Sequence, residues 1–237
     1  MDSSIATLSR QSGLLEATQL IANNIANAST VGYKSKGTIF SEYVASAGSG
    51  NPSLSMGYLT AQNTDFTTGA LRKTDNTFDL AIDGEGFFKI NTPEGLRLTR
   101  AGAFQLDADG MIVDSFGNPV VDEGGSAVEI PPDAVTVSFA KDGTMSVDGE
   151  IFGNIGVFRP TGEVERVGNN YWIATDGDVA VEEPNLIQGF LEQSNVSPVA
   201  EFAKLITTQR LFDAGQTLTE QEHDRLSNLI AAIRQQG

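Results

Sequence analysis

Apolar residues fall at helical spacing near both ends of the chain and at strand spacing between them. Leu14, Thr18, Ile21, Ile25 and Ala28 step by four, three, four and three, and Ile5, Leu8 and Leu15 widen the stripe, which predicts a helix over residues 4–29. The β-branched residues and glycine of Ser29-Thr30-Val31-Gly32 break that pattern and end the helix. Near the other end Ser197 and Pro198 make a cap and first-turn pair, and helix-forming sequence follows nearly to Gln236. Val199, Phe202, Ile206 and Gln209 form one seam on it, while Leu205, Phe212, Thr219, Leu226 and Ile233 recur every seven residues on a neighbouring line. Such a helix spans roughly 60 Å, with Gly215 the expected bend.

Between the helices the period changes to two. Phe78, Leu80 and Ile82 alternate with polar residues, as do Val135, Val137 and Phe139, the pattern of half-buried strands. Asp-Gly pairs at 83–84, 109–110, 142–143, 148–149 and 176–177 supply turns, because Asp tolerates turn conformations and Gly adopts positive φ freely. Residues from about Thr77 to Val181 therefore read as an antiparallel β domain, a compact sandwich or irregular barrel. Gly37 to Asp75, rich in Ser, Gly, Thr and Asn, reads as a mobile loop or loosely paired hairpin. The expected fold class is α+β: N- and C-terminal helices pair as a coiled coil around a central, mainly antiparallel β domain. The expected parts are a helix and turn (1–36), an extended connector (37–75), a β-rich domain (76–190) and a C-terminal helix (191–237).

Charge sharpens that division. The 237 residues carry 15 Lys and Arg against 31 Asp and Glu, a formal net charge of −16. Residues 1–73 are net +1 and residues 191–237 net −2, so the middle block, at −15, holds nearly all of it. An acidic body of this kind is a poor binder of phosphate backbones, which argues against nucleic acid as a partner. The near-neutral ends can pack closely. With no cysteine, disulfides, thiolate metal sites and a Cys nucleophile are excluded. No run approaches the length of a membrane span, and the start MDSSIATLSR lacks the basic and apolar parts of a cleaved signal. The expectation is a soluble chain without membrane insertion, which stays in the cytosol or leaves by a route needing no cleaved signal.

Enzymatic chemistry finds little support. DGEGFF (83–88) resembles a phosphate-cradling loop only superficially, since strand residues follow it and the third glycine of a dinucleotide fingerprint is missing. Asp107-Ala-Asp109-Gly110 resembles the start of a calcium loop, but Met111, Ile112 and Val113 stand where ligands are needed, so a hairpin turn is expected. The single histidine, His223, lies among Glu220, Glu222 and Asp224 with nothing to shape an elbow or oxyanion hole. A carboxylate pair at glycosidase spacing arises by chance among so many acids. A peptidoglycan hydrolase predicts turnover that one carboxylate substitution abolishes, and a secreted binding module predicts a discrete dimer without filaments. The expectation is no catalytic, cofactor-binding or metal site, no cofactor and no small-molecule substrate. Trp172 is expected to pack inside the β domain.

The apolar stripes on the two helices exceed what one partner helix can bury. Either both helices fold back over one face of the sheet, or the surplus contacts other chains and builds rings or filaments.

ANNIANASTVGYKSK (22–36) is similar to the signature of bacterial flagellar rod and hook proteins. DGEGFF resembles that family's Gly-rich strand start, TRAGAFQLDADGMIVDSFGNPV (99–120) its Thr-Arg-x-Gly-x-Phe hairpin, and GFLEQSNVSPVAEFAKLITTQRLF (189–212) its C-terminal helix start and Gln-Arg motif. Four blocks in the family's order cover most of the chain; Ala101, often polar or charged in the family, is a minor departure. The short length, the MDSSI start and Ser9 to Gln11 resemble proximal-rod members more than the longer distal-rod ones, and there is no room for hook-type insertions.

The resemblance implies a structural subunit of the axial rod of the basal body, whose partners are other rod subunits and copies of itself. It implies export by the flagellar type III apparatus without signal cleavage, and termini that order on assembly. Asn23, Asn24 and Asn27 are costly inside a helix, and their amides are expected to bond across subunits and fix register. Tyr33 in the Gly32-Tyr33-Lys34 turn is the expected anchor. Leu14, Ile21 and Ile25 on the first helix, and Phe202, Leu205, Ile206, Gln209, Arg210 and Phe212 on the last, complete the expected interface. Glu192, Ser194 and Asn195 are matching candidates ahead of the last helix, and Arg210 has a bland alternative as part of a solvated face.

Overall fold

Among the residues described by the computed structural model, 2–45 and 54–235, the chain forms two helices and 17 strands in mainly antiparallel sheets. The centre of the Ser- and Gly-rich segment, 46–53, lies outside the described residues, as do the side chains of Ile5, Leu8, His223, Leu226 and Ile233. The chain divides into two compact units, one of Met1–Ala28, Ser35–Asp65 and Val196–Gly237, the other of Ser29–Lys34 and Phe66–Asn195.

The first unit holds α1 (Asp2–Ala26), an antiparallel hairpin of β1 (Lys36–Ala45) and β2 (Leu54–Thr64), and α2 (Pro198–Gln235). Much of the expected connector is thus a paired hairpin, with one register shift between Ile39 and Phe40. The first helix ends three residues earlier than its apolar stripe predicts. The Asn27 side chain donates to the Asn23 carbonyl at 2.8 Å, competing there with the backbone amide of Asn27 itself at 3.1 Å. The second helix runs unbroken through Gly215, which does not end it; a Cβ there would lie 3.7 Å from Gln11 Nε2 on α1. Because Gln11 faces Gly215 and Asn24 bonds Glu201, the two helices run antiparallel.

The second unit is built from short strands. A six-stranded antiparallel sheet takes β5 (Phe87–Thr92), β6 (Gly95–Thr99), β12 (Val157–Pro160), β13 (Val164–Arg166), β14 (Tyr171–Ala174) and β15 (Asp178–Ala180), in the order β13-β14-β6-β5-β12-β15. A three-stranded sheet runs β11 (Glu150–Asn154), β10 (Thr144–Val147), β9 (Val137–Phe139). Three pairs complete it: β3 (Leu71–Lys73) with β17 (Phe190–Glu192), β4 (Leu80–Ile82) with β16 (Leu186–Gln188), and β7 (Gln105–Leu106) with β8 (Ile112–Val113).

Period-two alternation on β5 feeds two cores. Phe88 and Ile90 join the larger cluster with Leu80, Ile112, Val120 and Ile155, while Phe87 joins Leu98, Val121, Phe158 and Trp172. Trp172 is fully buried, as expected, and Phe66 closes over it edge-on, with ring centroids 5.2 Å apart. Two expected strands differ in detail. Leu80, Ala81 and Ile82 are all buried, so β4 is covered on both faces. Val135 precedes its strand and is 86 % exposed, because the Asp148 carboxylate holds its amide at 3.2 Å and turns the chain outward.

A short repeat organises residues 107–126. In Asp107-x-x-Gly110, Asp114-x-x-Gly117 and Asp122-x-x-Gly125 the carboxylate accepts the amide four residues on, from Met111, Asn118 and Ser126 at 2.8–2.9 Å. Each glycine has φ between 82° and 85°. The expected turn at Asp107 is therefore a hairpin turn whose carboxylate is engaged by backbone.

Candidate subunit interface and the buried charge cluster

The signature turn after α1 is part of the β-rich unit. Gly32 has φ +66°, and its amide donates to the Glu192 carbonyl at 2.8 Å. A Cβ at that position would lie 2.4 Å from the Arg100 carbonyl carbon, so the turn backbone sits directly on the backbone of the Thr-Arg-x-Gly hairpin. Tyr33, 3 % exposed, packs under Arg166, whose guanidinium also covers Trp172; the two ring centroids lie 4.2 and 4.6 Å away. Arg166 donates to the Lys34 carbonyl, and the Asn170 amide to the Val31 carbonyl.

Beneath the turn lies a buried ionic cluster. Lys34 Nζ donates to Glu192 Oε1 at 2.6 Å and to the Thr67 carbonyl at 2.8 Å. Glu192 also accepts from Arg100 Nη1 at 3.3 Å and from the Gly69 amide at 2.9 Å. Arg100 donates in addition to the carbonyls of Ile82 and Gly84. Burial lowers the Arg100 guanidinium from its ordinary pKa, and the Glu192 charge opposes that shift. All four motif blocks thus converge: the turn supplies Lys34, DGEGFF the Gly84 carbonyl, the hairpin Arg100, and the C-terminal block Glu192. A cluster so enclosed fixes geometry more than it adds stability, since desolvation offsets most of the Coulomb attraction.

In the first unit the three asparagines separate. Asn24, 2 % exposed, engages both ends of its amide within the chain: Nδ2 donates to the Lys36 carbonyl at 2.8 Å and to Glu201 Oε2 at 3.1 Å, and Oδ1 accepts the Lys36 amide at 3.0 Å. It ties α1, the start of β1 and α2 together. Asn27 bonds back to Asn23, which is exposed. Leu14 and Ile21 are buried within the protomer and Ile25 is half-buried.

On α2 the two predicted lines part company. Glu201 is buried and Leu205, Thr208, Phe212 and Gly215 are half-buried, a four-three-four-three face on the side of Asn24 and Gln11. Val199 is 81 % exposed and Phe202 and Ile206 each 51 %; Gln209 and Arg210 are exposed too. Sequence reading gave Arg100, Arg166, Lys36 and Glu201 no structural role, placed Lys34 only as part of the turn, and took Glu192, ahead of the last helix, as an interface candidate rather than as part of a buried cluster. The available signal was an ionisable residue set against apolar or small neighbours in three of the motifs: Lys34 after Gly32-Tyr33, Arg100 before Ala101-Gly102, and Glu192 after Phe190-Leu191.

A mixed helix-and-strand chain whose signature turn is held in the β-rich unit by such a cluster, and whose last helix exposes an apolar seam among the described residues, has the character of an assembly subunit. Three family models match it: "Flagella basal body rod protein" over residues 6–34, "Flagellar hook protein FlgE/F/G D1 domain" over 81–147, and "Flagellar basal body rod FlgEFG protein C-terminal" over 187–232. The chain is 34 % identical to the flagellar basal-body rod protein FlgF of Mesorhizobium japonicum, covering 93 % of this chain and 92 % of that one. It is 37 % identical to the FlgF of Caulobacter vibrioides, covering 87 % of each. The flagellar basal-body rod protein FlgG of Bacillus subtilis is 31 % identical, covering 89 % of this chain and 91 % of that one. The chain belongs to the flagellar basal-body rod and hook family.

Proposed function

We propose that this chain is a structural subunit of the bacterial flagellar basal-body rod, assembling axially through its terminal helices with copies of itself and other rod subunits to form part of the drive shaft that transmits torque. The carrying observation is the apolar seam Val199, Phe202 and Ile206, exposed beside a line already turned toward α1. Surplus apolar surface of that kind is covered by other chains. In this reading the exposed set, Phe202, Ile206, Gln209, Arg210 and Asn23, meets neighbours, with Leu205, Phe212 and Ile25 at its margin. Leu14, Ile21, Asn24 and Tyr33 hold the protomer in the shape the neighbours require. Pairing of α1 with α2 tightens into a coiled coil on assembly; the helices of 1–36 and 191–237 act as the assembling elements, 37–75 as connector and 76–190 as the acidic body, with the turn at 29–34 held in that body.

Within the rod the proximal position is the reading we favour, on the FlgF name of relatives at 34 % and 37 % identity. Export through the flagellar type III apparatus without signal cleavage, and a place in the periplasm-crossing basal body, follow from the same family likeness. No helix among the described residues is long and apolar enough to cross a membrane. No catalytic step belongs to this function.

Complementation of a deletion strain tests it. Phe202→Asp and Ile206→Asp place charge in the exposed seam, and Leu205→Asp and Ile25→Asp place it at the margin. Loss of rods and motility with a folded β-rich unit is expected; normal rods in the seam variants overturn the reading.

A further inference from the structure

Asp-Gly pairs recur through the turns of the β-rich unit, and one of them is left chemically open. A glycine nitrogen has no side chain to shield it, so the carboxyl of the preceding aspartate can close on it as a succinimide where both groups are unengaged. At Asp148-Gly149 the carboxylate accepts the amides of Val135 and Thr136 and the Thr136 hydroxyl. At Asp142-Gly143 it accepts the Thr144 amide, and the Gly143 amide donates to the Ala140 carbonyl at 3.1 Å. Asp83 Oδ2 accepts from Asn185 Nδ2 at 3.0 Å. The Gly110 amide, after Asp109, donates to the Asp107 carbonyl at 3.3 Å.

Asp176 and Gly177 differ from all of these. Both are exposed, and among the described residues the Asp176 carboxylate has no hydrogen bond or ion pair and the Gly177 amide donates to nothing. The carboxylate lies over Gly162, where a Cβ would collide with Oδ2, a contact without a hydrogen bond. The flanks are tied down: the Thr175 amide and hydroxyl both donate to the Glu163 carbonyl at 3.0 Å, and Asp178 pairs with Lys89. Between them the Thr161 hydroxyl donates to the carbonyls of Asp176 and Gly177, each at 2.9 Å, and the Thr161 amide to that of Gly177 at 3.0 Å.

We propose that Asp176 is a self-modification site, isomerising through a succinimide to isoaspartate and so loosening the edge strand β15. The Gly177 nitrogen bonds to Asp176 Cγ while the protonated carboxyl gives up its hydroxyl, which leaves with the amide proton as water. Solvent water then opens the ring. Addition at Cγ restores aspartate; addition at the former main-chain carbonyl carbon breaks that carbon's bond to nitrogen and routes the chain through Cβ and Cγ. The backbone between Thr175 and Asp178 gains one atom, and the Asp176 carbonyl that the Thr161 hydroxyl holds becomes a carboxylate. Thr161 follows β12, and its amide bond to Gly177 continues the β12–β15 ladder, so that ladder is what slackens.

Peptide mapping of the purified full-length chain, aged at neutral pH and physiological temperature in heavy-oxygen water, tests it. Fragmentation that tells isoaspartate from aspartate should find isoaspartate carrying the heavy oxygen at Asp176, in several-fold excess over each of Asp83, Asp109, Asp142 and Asp148. In urea, where no fold protects any pair, all of them should react at rates within a few-fold of one another. Asp176→Glu keeps the charge but needs a larger ring, and should remove the product at that position. Hydrogen exchange of the aged chain should quicken at Thr161 and Val181, whose amides bond Gly177 and Val157, and stay unchanged at Ile112 and Val128. An equal or larger yield at any other pair of the native chain overturns the assignment to Asp176, and unchanged exchange at Thr161 overturns the loosening.

Discussion

Lys34 and Glu192, 158 positions apart in the sequence, form a 2.6 Å ion pair with 0 % and 1 % of their side chains exposed. Arg100 completes the cluster from a third segment, so two cations share one carboxylate. That stoichiometry ranks the substitutions. Lys34→Met leaves one balanced pair and should cost about 1–3 kcal/mol, whereas Glu192→Gln strands two buried cations and should cost about 3–5 kcal/mol or more. Urea unfolding followed by Trp172, the single tryptophan and fully buried in the same unit, measures both. Equal costs would contradict the shared-carboxylate account.

Gly32→Ala should destabilise the same unit by about 2–3 kcal/mol, since φ is +66° and the added Cβ meets the Arg100 carbonyl carbon at 2.4 Å. The same denaturation experiment checks it, and Gly117→Ala provides the comparison, with a positive φ but no atom within 4 Å of its Cβ. Its cost should be the smaller of the two.

Asn24 and Glu201 should couple. Asn24→Ala removes the bonds to the Lys36 backbone and to one Glu201 oxygen, an expected loss of about 1–3 kcal/mol, while Glu201 keeps its bond from Lys204 at 2.5 Å. A double-mutant cycle with Glu201→Ala, read by far-ultraviolet circular dichroism, should give a coupling energy of about 0.5–3 kcal/mol. Additive losses would mean that Asn24 does not tie the helices together.

Acid should loosen the three-stranded sheet in a defined way. Amides of Thr136 and Val135 hold the Asp148 carboxylate below its ordinary pKa, and the Thr144 amide does the same for Asp142. With folded pKa values below the unfolded ones, the stabilisation is complete above the ordinary carboxylate range and is lost as pH falls through the lowered values. Amide resonances of Val135, Thr136 and Thr144 should titrate with midpoints below the ordinary aspartate range. Asp148→Asn should abolish the shift at Val135 and Thr136 alone.

Helices and turns were legible because their signals are local. Leu205 and Phe212 recur at seven-residue spacing, and Phe202 and Ile206 mark the adjoining seam; the structure turns the first pair toward α1 and leaves the second exposed. The Asp-Gly turns carry their own chemistry in the sequence. What was not legible is pairing at long range. Nothing local to Lys34 names Glu192 as its partner, and Asn24 reads as an interface residue until Lys36 and Glu201 are seen around its amide. Tyr33 likewise reads as an interface anchor, because the cation over its ring, Arg166, lies 133 residues away in the sequence.

Segment-resolved hydrogen exchange on the purified full-length monomer tests the central claim most directly: that the signature turn is built into the β-rich unit while the helices are the assembly elements. Amides of Gly32 and Tyr33, bonded to Glu192 and Thr30, should be protected together with those of 80–192, while those of 198–235 exchange orders of magnitude faster. Fast exchange at Gly32 and Tyr33 together with the helix, or helix amides as protected as the β-rich unit, would contradict it.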